Sequence, residues 1–381
     1  MDYLHTFSPM LAELGPTGQM ALWSFVKIAI LVGVVLTMVA YAVLVERKVS
    51  AFIQDRVGPN RAAPPFIAAI PVLGPFLVRL GIFQPLADGL KFLLKEDFTP
   101  AHVRKIYFWL APMIAMVPAL LTFAVIPFGS NLGGQRMVIA DLNVGILYTF
   151  GIVSLGVYGI VLAGYAANSK YPFLGGIRSS AQLISYEIAM GMSVIPVFML
   201  VGNLNLSGVI HYQTGGLFGI SWLPNWLLFK QPLSFIIFII AAFAETNRLP
   251  FDLPEAETEL VAGYHTEYSS MKFALFFLGE YANMIASSAM MVTLFLGGWT
   301  LPWFGLDQPA DSIGIGLLHI GIFIGKIILL MLIFIWIRWM FPRFRYDQLM
   351  DLGWRRFIPL ALANILITAV VLWLVALKNT H

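Results

Sequence analysis

Eight apolar runs constrain this chain more than any other feature, at about 22–45, 106–127, 142–166, 182–201, 232–246, 272–296, 315–341 and 357–377. A helix needs about 20 apolar residues to cross a bilayer core. Hydrocarbon also leaves every backbone N–H and C=O to be satisfied within the segment itself. No period-two alternation competes with these runs. The expected fold is an all-α polytopic membrane protein of about eight transmembrane helices. The fifth run is the shortest and is expected to extend into the acidic stretch after it. Composition agrees: 59% of residues are hydrophobic and 11% charged, whereas soluble domains carry about 25% charged residues. Residues 1–381 read as a single transmembrane domain.

Lysine and arginine divide the connections by side. The odd-numbered connections hold 18 of them, and the even connections with the tails hold three, Arg136, Lys230 and Lys378. The positive-inside rule then puts the odd loops in the cytoplasm and both termini on the periplasmic side. The segment MDYLHTFSPMLAEL carries acids where a secretory leader needs a basic region. The first apolar run is therefore expected to act as an uncleaved signal-anchor. The first cytoplasmic connection, 46–105, is apolar but broken by Pro71, Gly74, Pro75, Gly81 and Pro85. It is expected to form amphipathic helices at the membrane surface. In 86–96, for example, Leu86, Leu90, Leu93 and Leu94 share one face, with Asp88, Lys91 and Lys95 on others. No repeat at fixed period is visible, which weighs against repeat-built transporters.

The chain has no cysteine and six histidines, of which only His319 lies deep in an apolar run. Cys-ligated iron–sulfur clusters and Cys-attached haem are excluded on that ground, and a bis-histidine haem lacks its ligands. Any electrons must reach this chain through a partner. Neither a metal site nor a nucleic-acid partner is expected.

Against this background the stretch AETNRLPFDLPEAETELVAGYHTEY, residues 244–268, is anomalous. Glu245, Asp252, Glu255, Glu257, Glu259 and Glu267 crowd into it, Glu280 follows, and only Arg248 and Lys272 balance them nearby. Residues 245–272 read as an acidic cytoplasmic loop. A helix is expected to start near Pro254, with Asp252 and Glu255 at capping-box spacing. Capping accounts for those two and leaves Glu257 and Glu259. On a helix Asp252, Glu255 and Glu259 share a face, and Glu257 points away. Glu187, in ISYEIAMG, and Glu280 lie inside apolar runs, where an unpartnered carboxylate costs at least about 2.5–3.5 kcal/mol. Either each acid has a structural partner such as Arg178 or Lys326, or Glu187, Glu245 and Glu280 surround a polar interior cavity. Carboxylates gathered there would titrate as a coupled set, as a proton relay requires.

The basic groups pose a similar choice. Arg47, Lys48 and Arg56 follow helix 1, and PRFRYDQLMDLGWRR follows helix 7. Orientation and lipid headgroups explain several of them. They do not explain Asp55, Asp347 and Gln348 interleaved with arginines, a mix that suggests fixed ion pairs or a docking surface for a cytoplasmic partner. His319 is read as a packing residue, and Lys27 as a snorkelling one.

At this point the residues carry a resemblance. VERKVSAFIQDRVGPNR, DGLKFLLKEDFTP, GGIRSSAQLISYEIAMG, FAETNRLPFDLPEAETELVAGYHTEYSSMKFALFFLGEYANM and PRFRYDQLMDLGWRRFIPL closely resemble the quinone-site membrane subunit of bacterial respiratory complex I. That family is the H subunit of type I NADH:quinone oxidoreductase. The likeness runs from about residue 20 to about 377. It implies a membrane-arm component that docks the iron–sulfur-bearing hydrophilic arm, contacts other membrane-arm subunits and lipids, and forms the access tunnel for ubiquinone or menaquinone. Arg47, Arg56, Arg178, Glu245, Arg248 and Asp252 are implied as tunnel-lining or loop-organising residues. Glu187, Glu255, Glu257, Glu259 and Glu280 are implied as the acidic path that couples quinone reduction to proton translocation. No nucleophile, flavin, haem or cluster is implied for this chain, and the bacterial inner membrane is its expected location. Two other classes stay open: a membrane anchor for a complex with another electron donor, and a stand-alone proton or cation transporter.

Overall fold

The computed structural model describes residues 16–65, 70–71, 73–217, 220–253, 257–303 and 305–379. Among them, seven helices are long and apolar enough to cross a membrane. They are α1 (Pro16–Ile53), α4 (Lys105–Leu121, continued by a 3-10 turn, Thr122–Ala124), α5 (Gly145–Ala166), α6 (Lys170–Val201), α11 (Ser270–Phe295), α12 (Ile313–Met340) and a last helix interrupted by a π turn. That last helix comprises α13 (Tyr346–Asp351), the π turn Leu352–Phe357 and α14 (Ile358–Asn379). Between these lie the shorter helices α2 (Leu73–Leu80), α3 (Gln84–Leu94), α7 (Leu206–Tyr212), α8 (Leu227–Lys230), α9 (Pro232–Glu245) and α10 (Glu257–Leu260). Among the described residues, sheet is confined to two short antiparallel hairpins, β1 (Asn131–Leu132) with β2 (Gln135–Arg136) and β3 (Gly216–Leu217) with β4 (Ile220–Pro224).

The fifth apolar run departs from expectation. It folds as α9, 14 residues long, which rises only about 21 Å at 1.5 Å per residue. It does not continue into the acidic stretch. Thr246 closes it, with its hydroxyl returned to the Ala242 carbonyl at 2.9 Å, and Asn247 then takes a left-handed φ of 50°. The fourth run departs the other way: α6 starts at Lys170, twelve residues before its apolar core, and places Glu187 well within a 32-residue helix. The helix expected near Pro254 begins in the described residues at Glu257 and is four residues long. Residues 254–256 lie outside them, and so do Glu255 and the Asp252–Glu255 capping box.

Local chemistry sets most other ends. Gly202, at φ 72°, ends α6 with its N–H on the Phe198 carbonyl, the left-handed cap that glycine adopts without a Cβ penalty. Asn205 and Ser312 cap α7 and α12 by accepting from Gly208 N and Ile315 N. Phe341, forced extended before Pro342, ends α12.

The core centres on α11, most of whose residues are buried and which packs against α4, α12, α1 and α9. On the other side α6 packs against α5, α9 and α14. Glycine permits the closest approaches. A Cβ at Gly159 of α5 would lie 2.6 Å from the Ala115 nitrogen of α4. One at Gly175 of α6 would lie 2.9 Å from Gly263 Cα in the segment after α10.

Candidate functional site

Two adjoining clusters collect most of the predicted charges. The first is a cavity of about 50 Å³ between α4, α5, α6, the end of α9 and α11. Glu187 enters from α6, Glu245 from the last residue of α9, and Glu280 with Asn283 from α11. Thr246, Asn247 and Tyr264 complete its polar lining. A water needs about 10–15 Å³ of such space, so the cavity has room for a few. Among the described residues Glu187 and Glu245 make no ion pair, and Glu245 Oε2 has no hydrogen-bond partner. The expected interior cavity with these three acids around it is present.

The second cluster is a buried ion-pair hub. Arg248 forms an ion pair with Glu280, Nε to Oε1 at 2.8 Å, and donates from Nη1 to Glu46 Oε1 at 3.2 Å. Its guanidinium carbon lies 4.2 Å from the centre of the Tyr281 ring. Glu46 also accepts from the Tyr281 hydroxyl at 2.5 Å and from Arg338 Nη1. Two carboxylates thus meet two guanidiniums, with Arg248, Glu46 and Glu280 buried and Arg338 partly exposed, an arrangement that holds only when each buried charge has its counter-charge. Glu280 belongs to both clusters, since it lines the cavity and pairs with Arg248.

Sequence reasoning missed three members of this hub. Glu46 stands inside α1, just past the first apolar run, and Arg338 near the end of α12, within the seventh run. Each is an ionisable group at the edge of a span, which is a signal for function. Tyr281 left none, because a tyrosine in an apolar run is ordinary.

The remaining predicted residues sit around these clusters. Asp252 Oδ2 pairs with Arg343 Nη2 at 3.1 Å. Arg178 Nη1 pairs with Glu259 Oε2 at 2.7 Å on the surface. Arg47 Nη1 pairs with Asp88 Oδ2 at 2.8 Å and so ties α3 to α1. Arg56 is exposed and makes no ion pair among the described residues. Glu257 starts α10, and Glu255 lies outside the described residues. The proposed structural partners of the interior acids are engaged elsewhere: Arg178 with Glu259, and Lys326 with the carbonyls of Leu296, Gly298 and Thr300 at 2.7, 2.9 and 2.8 Å. Fixed ion pairs do explain the interleaved charges after α12, with Arg345 on Asp347 at 2.6 Å. His319 is fully buried, with Nδ1 at 2.8 Å from the Ser130 hydroxyl and its ring 4.6 Å from that of Trp299.

Outside the spans, the segment that closes the acidic loop packs as an aromatic cluster. His265 lies against Tyr264, Phe273 and Phe276, and Tyr268 stacks on Phe108 at 4.1 Å. Burial pulls the His265 imidazole down to about 3 and pushes the Tyr268 phenol up. His265 is therefore neutral at physiological pH.

Comparison with known proteins settles the family. The family model described as NADH dehydrogenase matches residues 26–369. The NADH-quinone oxidoreductase H subunit 1 of Geobacter metallireducens is 49% identical over 352 residues, which is 91% of this chain and 96% of the relative. The chain belongs to the family of NADH-quinone oxidoreductase H subunits. The H subunit 1 of Cytophaga hutchinsonii is 48% identical over 87% of this chain and 92% of its own length. The H subunit 2 of Koribacter versatilis is 45% identical over 96% of this chain and all of its own. As a member of this family, the chain is one subunit of an oxidoreductase complex and a multi-pass membrane protein.

Proposed function

We propose that this chain is the membrane subunit in which quinone reduction is coupled to proton translocation, with the ion-pair hub as sensor and the carboxylate cavity as proton path. One observation carries the reading: Glu280 joins the two clusters, with one side on Arg248 and the other on the cavity it shares with Glu187 and Glu245. Reduction of a quinone to a quinol takes two electrons and two protons. The electrons come from iron–sulfur partners in the hydrophilic arm, because this chain offers no cysteine to hold a cluster. Negative charge arriving near the hub would compete with Glu280 for Arg248, and Glu280 would respond by changing its proton occupancy and that of the acids coupled to it.

The rest of the architecture fits this role. With α9 as a short eighth crossing, both termini lie on the periplasmic side and the Lys- and Arg-rich connections in the cytoplasm. There Arg47, Arg56, Arg178 and Asp252 organise the loops that dock the hydrophilic arm and line the quinone tunnel, and Glu255, Glu257 and Glu259 continue the acidic path. The connection 46–105 and the acidic segment 245–272 are the two faces of that tunnel mouth. Leu86, Leu90, Leu93 and Leu94 are all exposed on α3. They suit contact with lipid at the membrane surface and with a quinone tail. The complex resides in the bacterial inner membrane, with ubiquinone or menaquinone as its acceptor.

Glu187→Gln and Glu245→Gln, measured in membranes with NADH and a long-tailed quinone, test this. Both variants should assemble and keep electron transfer at reduced rate, with fewer protons pumped per NADH. Wild-type pumping in both would refute the path.

A further inference from the structure

We propose that Gln182 is a positioning residue of the proton path: its carboxamide holds the turn 244–251 so that Glu245 faces the cavity while Arg248 faces Glu280. The inference rests on the proton-path reading above. Gln182 is fully buried on α6. Its Nε2 donates to the Ala244 carbonyl at 2.7 Å and to the Phe251 carbonyl at 2.9 Å, and Asn247 Oδ1 lies at 3.3 Å. The two carbonyls stand at opposite ends of the turn, so the two N–H groups of one amide clamp it shut.

What the clamp encloses gives it a function. Glu245 and Arg248 lie inside it, three residues apart, with Asn247 at φ 50° between them. That reversal sends one side chain to the cavity and the other to the hub. The other hydrogen bonds of the turn are mostly internal, Arg248 N to Phe243 O and Phe251 N to Arg248 O. From outside, Phe344 N reaches Pro250 O, on the α12 side. Among the described residues only Gln182 bonds α6 to this backbone. Five residues further along the same helix stands Glu187, so one rigid element fixes Glu245 relative to Glu187. A carboxamide suits the place because it donates to carbonyls without bringing charge. A glutamate there would repel those carbonyls and add a fourth acid, and a lysine would compete with Arg248 for the existing ones.

The test uses the assembled complex carrying Gln182→Met or Gln182→Asn. Loss of each buried hydrogen bond corresponds to about tenfold in the local opening equilibrium, and Gln182→Met removes both. Amide exchange across 244–251 should therefore speed up on the order of a hundredfold in Gln182→Met, with the spans unchanged. Pumped protons per NADH should fall at a quinone reductase rate that falls less. A residue that only stabilises the fold would lower both together through lost assembly and leave the ratio intact. Wild-type exchange and ratio in Gln182→Met overturn the proposal. If that variant does not assemble, the same two readouts on Gln182→Asn decide it, because the shorter amide no longer spans both carbonyls. Glu187→Gln in the same preparations separates the two ideas. Loss of pumping there with normal Gln182 variants sinks only the clamp, and normal pumping in both Glu187→Gln and Glu245→Gln sinks the proton path itself.

Discussion

Replacing Arg248 with methionine tests whether the hub is an interdependent unit. The guanidinium is buried and contacts Glu280 and Glu46 directly, with the Tyr281 ring against its face. Methionine fills much of the volume and removes the charge. Glu46 then keeps Arg338 and Tyr281, but Glu280 loses its counter-charge. Removing one partner of a buried pair typically costs about 3–5 kcal/mol, because the other charge is left uncompensated. Large assemblies unfold irreversibly, so the measurable quantity is the half-life of the purified complex at fixed temperature. If most of the loss appears in the unfolding barrier, about 3 kcal/mol shortens that half-life on the order of a hundredfold. The diagnostic comparison is the double variant Arg248→Met/Glu280→Gln, which leaves no orphaned charge. It should recover about 1–3 kcal/mol relative to the sum of the single changes. Arg248→Lys should fall between, since an ammonium keeps the charge and loses the fork that reaches two carboxylates at once. Strict additivity of Arg248→Met and Glu280→Gln would refute the hub.

Three further outcomes follow from the packing and the loop. Gly159→Leu should lower the amount of assembled complex in membranes, because even a Cβ meets the Ala115 backbone at 2.6 Å; a loss of about 1–3 kcal/mol is expected. Lys326→Met should also reduce assembly while leaving turnover per assembled complex unchanged. Its carbonyl cage lies beyond Phe295, fifteen residues along α11 from Glu280, which is about 22 Å of helix. His265, held at about 3 when folded against 6.5 when free, binds a proton more readily in the open loop. Its stabilising contribution is complete above pH 6.5 and declines as pH falls toward 3. The protection of the 263–268 amides relative to their intrinsic exchange rate should fall between pH 6.5 and 4.5 in the wild type and much less in His265→Phe.

The spans were legible in the sequence because hydrocarbon accepts only long apolar helices, and seven of the eight runs match helices of spanning length. The cavity was legible as well, since Glu187, Glu245 and Glu280 each broke an apolar run and hydrocarbon forces such groups together. The hub was less so. Glu46 and Arg338 stood at run edges, where a charge is equally natural in a loop, and only tertiary packing shows that the two pair with each other. Gln182 was invisible: a glutamine in a moderately polar helix start has many uses, and its two carbonyl acceptors lie more than sixty residues away in sequence.

The unequal lengths of α6 and α9 account for how so many charges are accommodated. At 1.5 Å per residue α6, with 32 residues, rises about 48 Å, well beyond a hydrocarbon core of about 30 Å. By the same measure α9, with 14 residues, rises about 21 Å and ends short of it. The chain therefore leaves helical geometry at Glu245 after less rise than a hydrocarbon core requires. Irregular backbone is tolerated there only when protein surrounds it. Thr246, Asn247 and Arg248 are all buried, and the overlong α6 supplies the wall: Gln182 binds Ala244 and Phe251, Arg178 binds Glu259, and Gly175 receives Gly263. A short helix beside a long one creates a lined, water-sized space around Glu187, Glu245 and Glu280, with Arg248 paired to Glu280 at its edge.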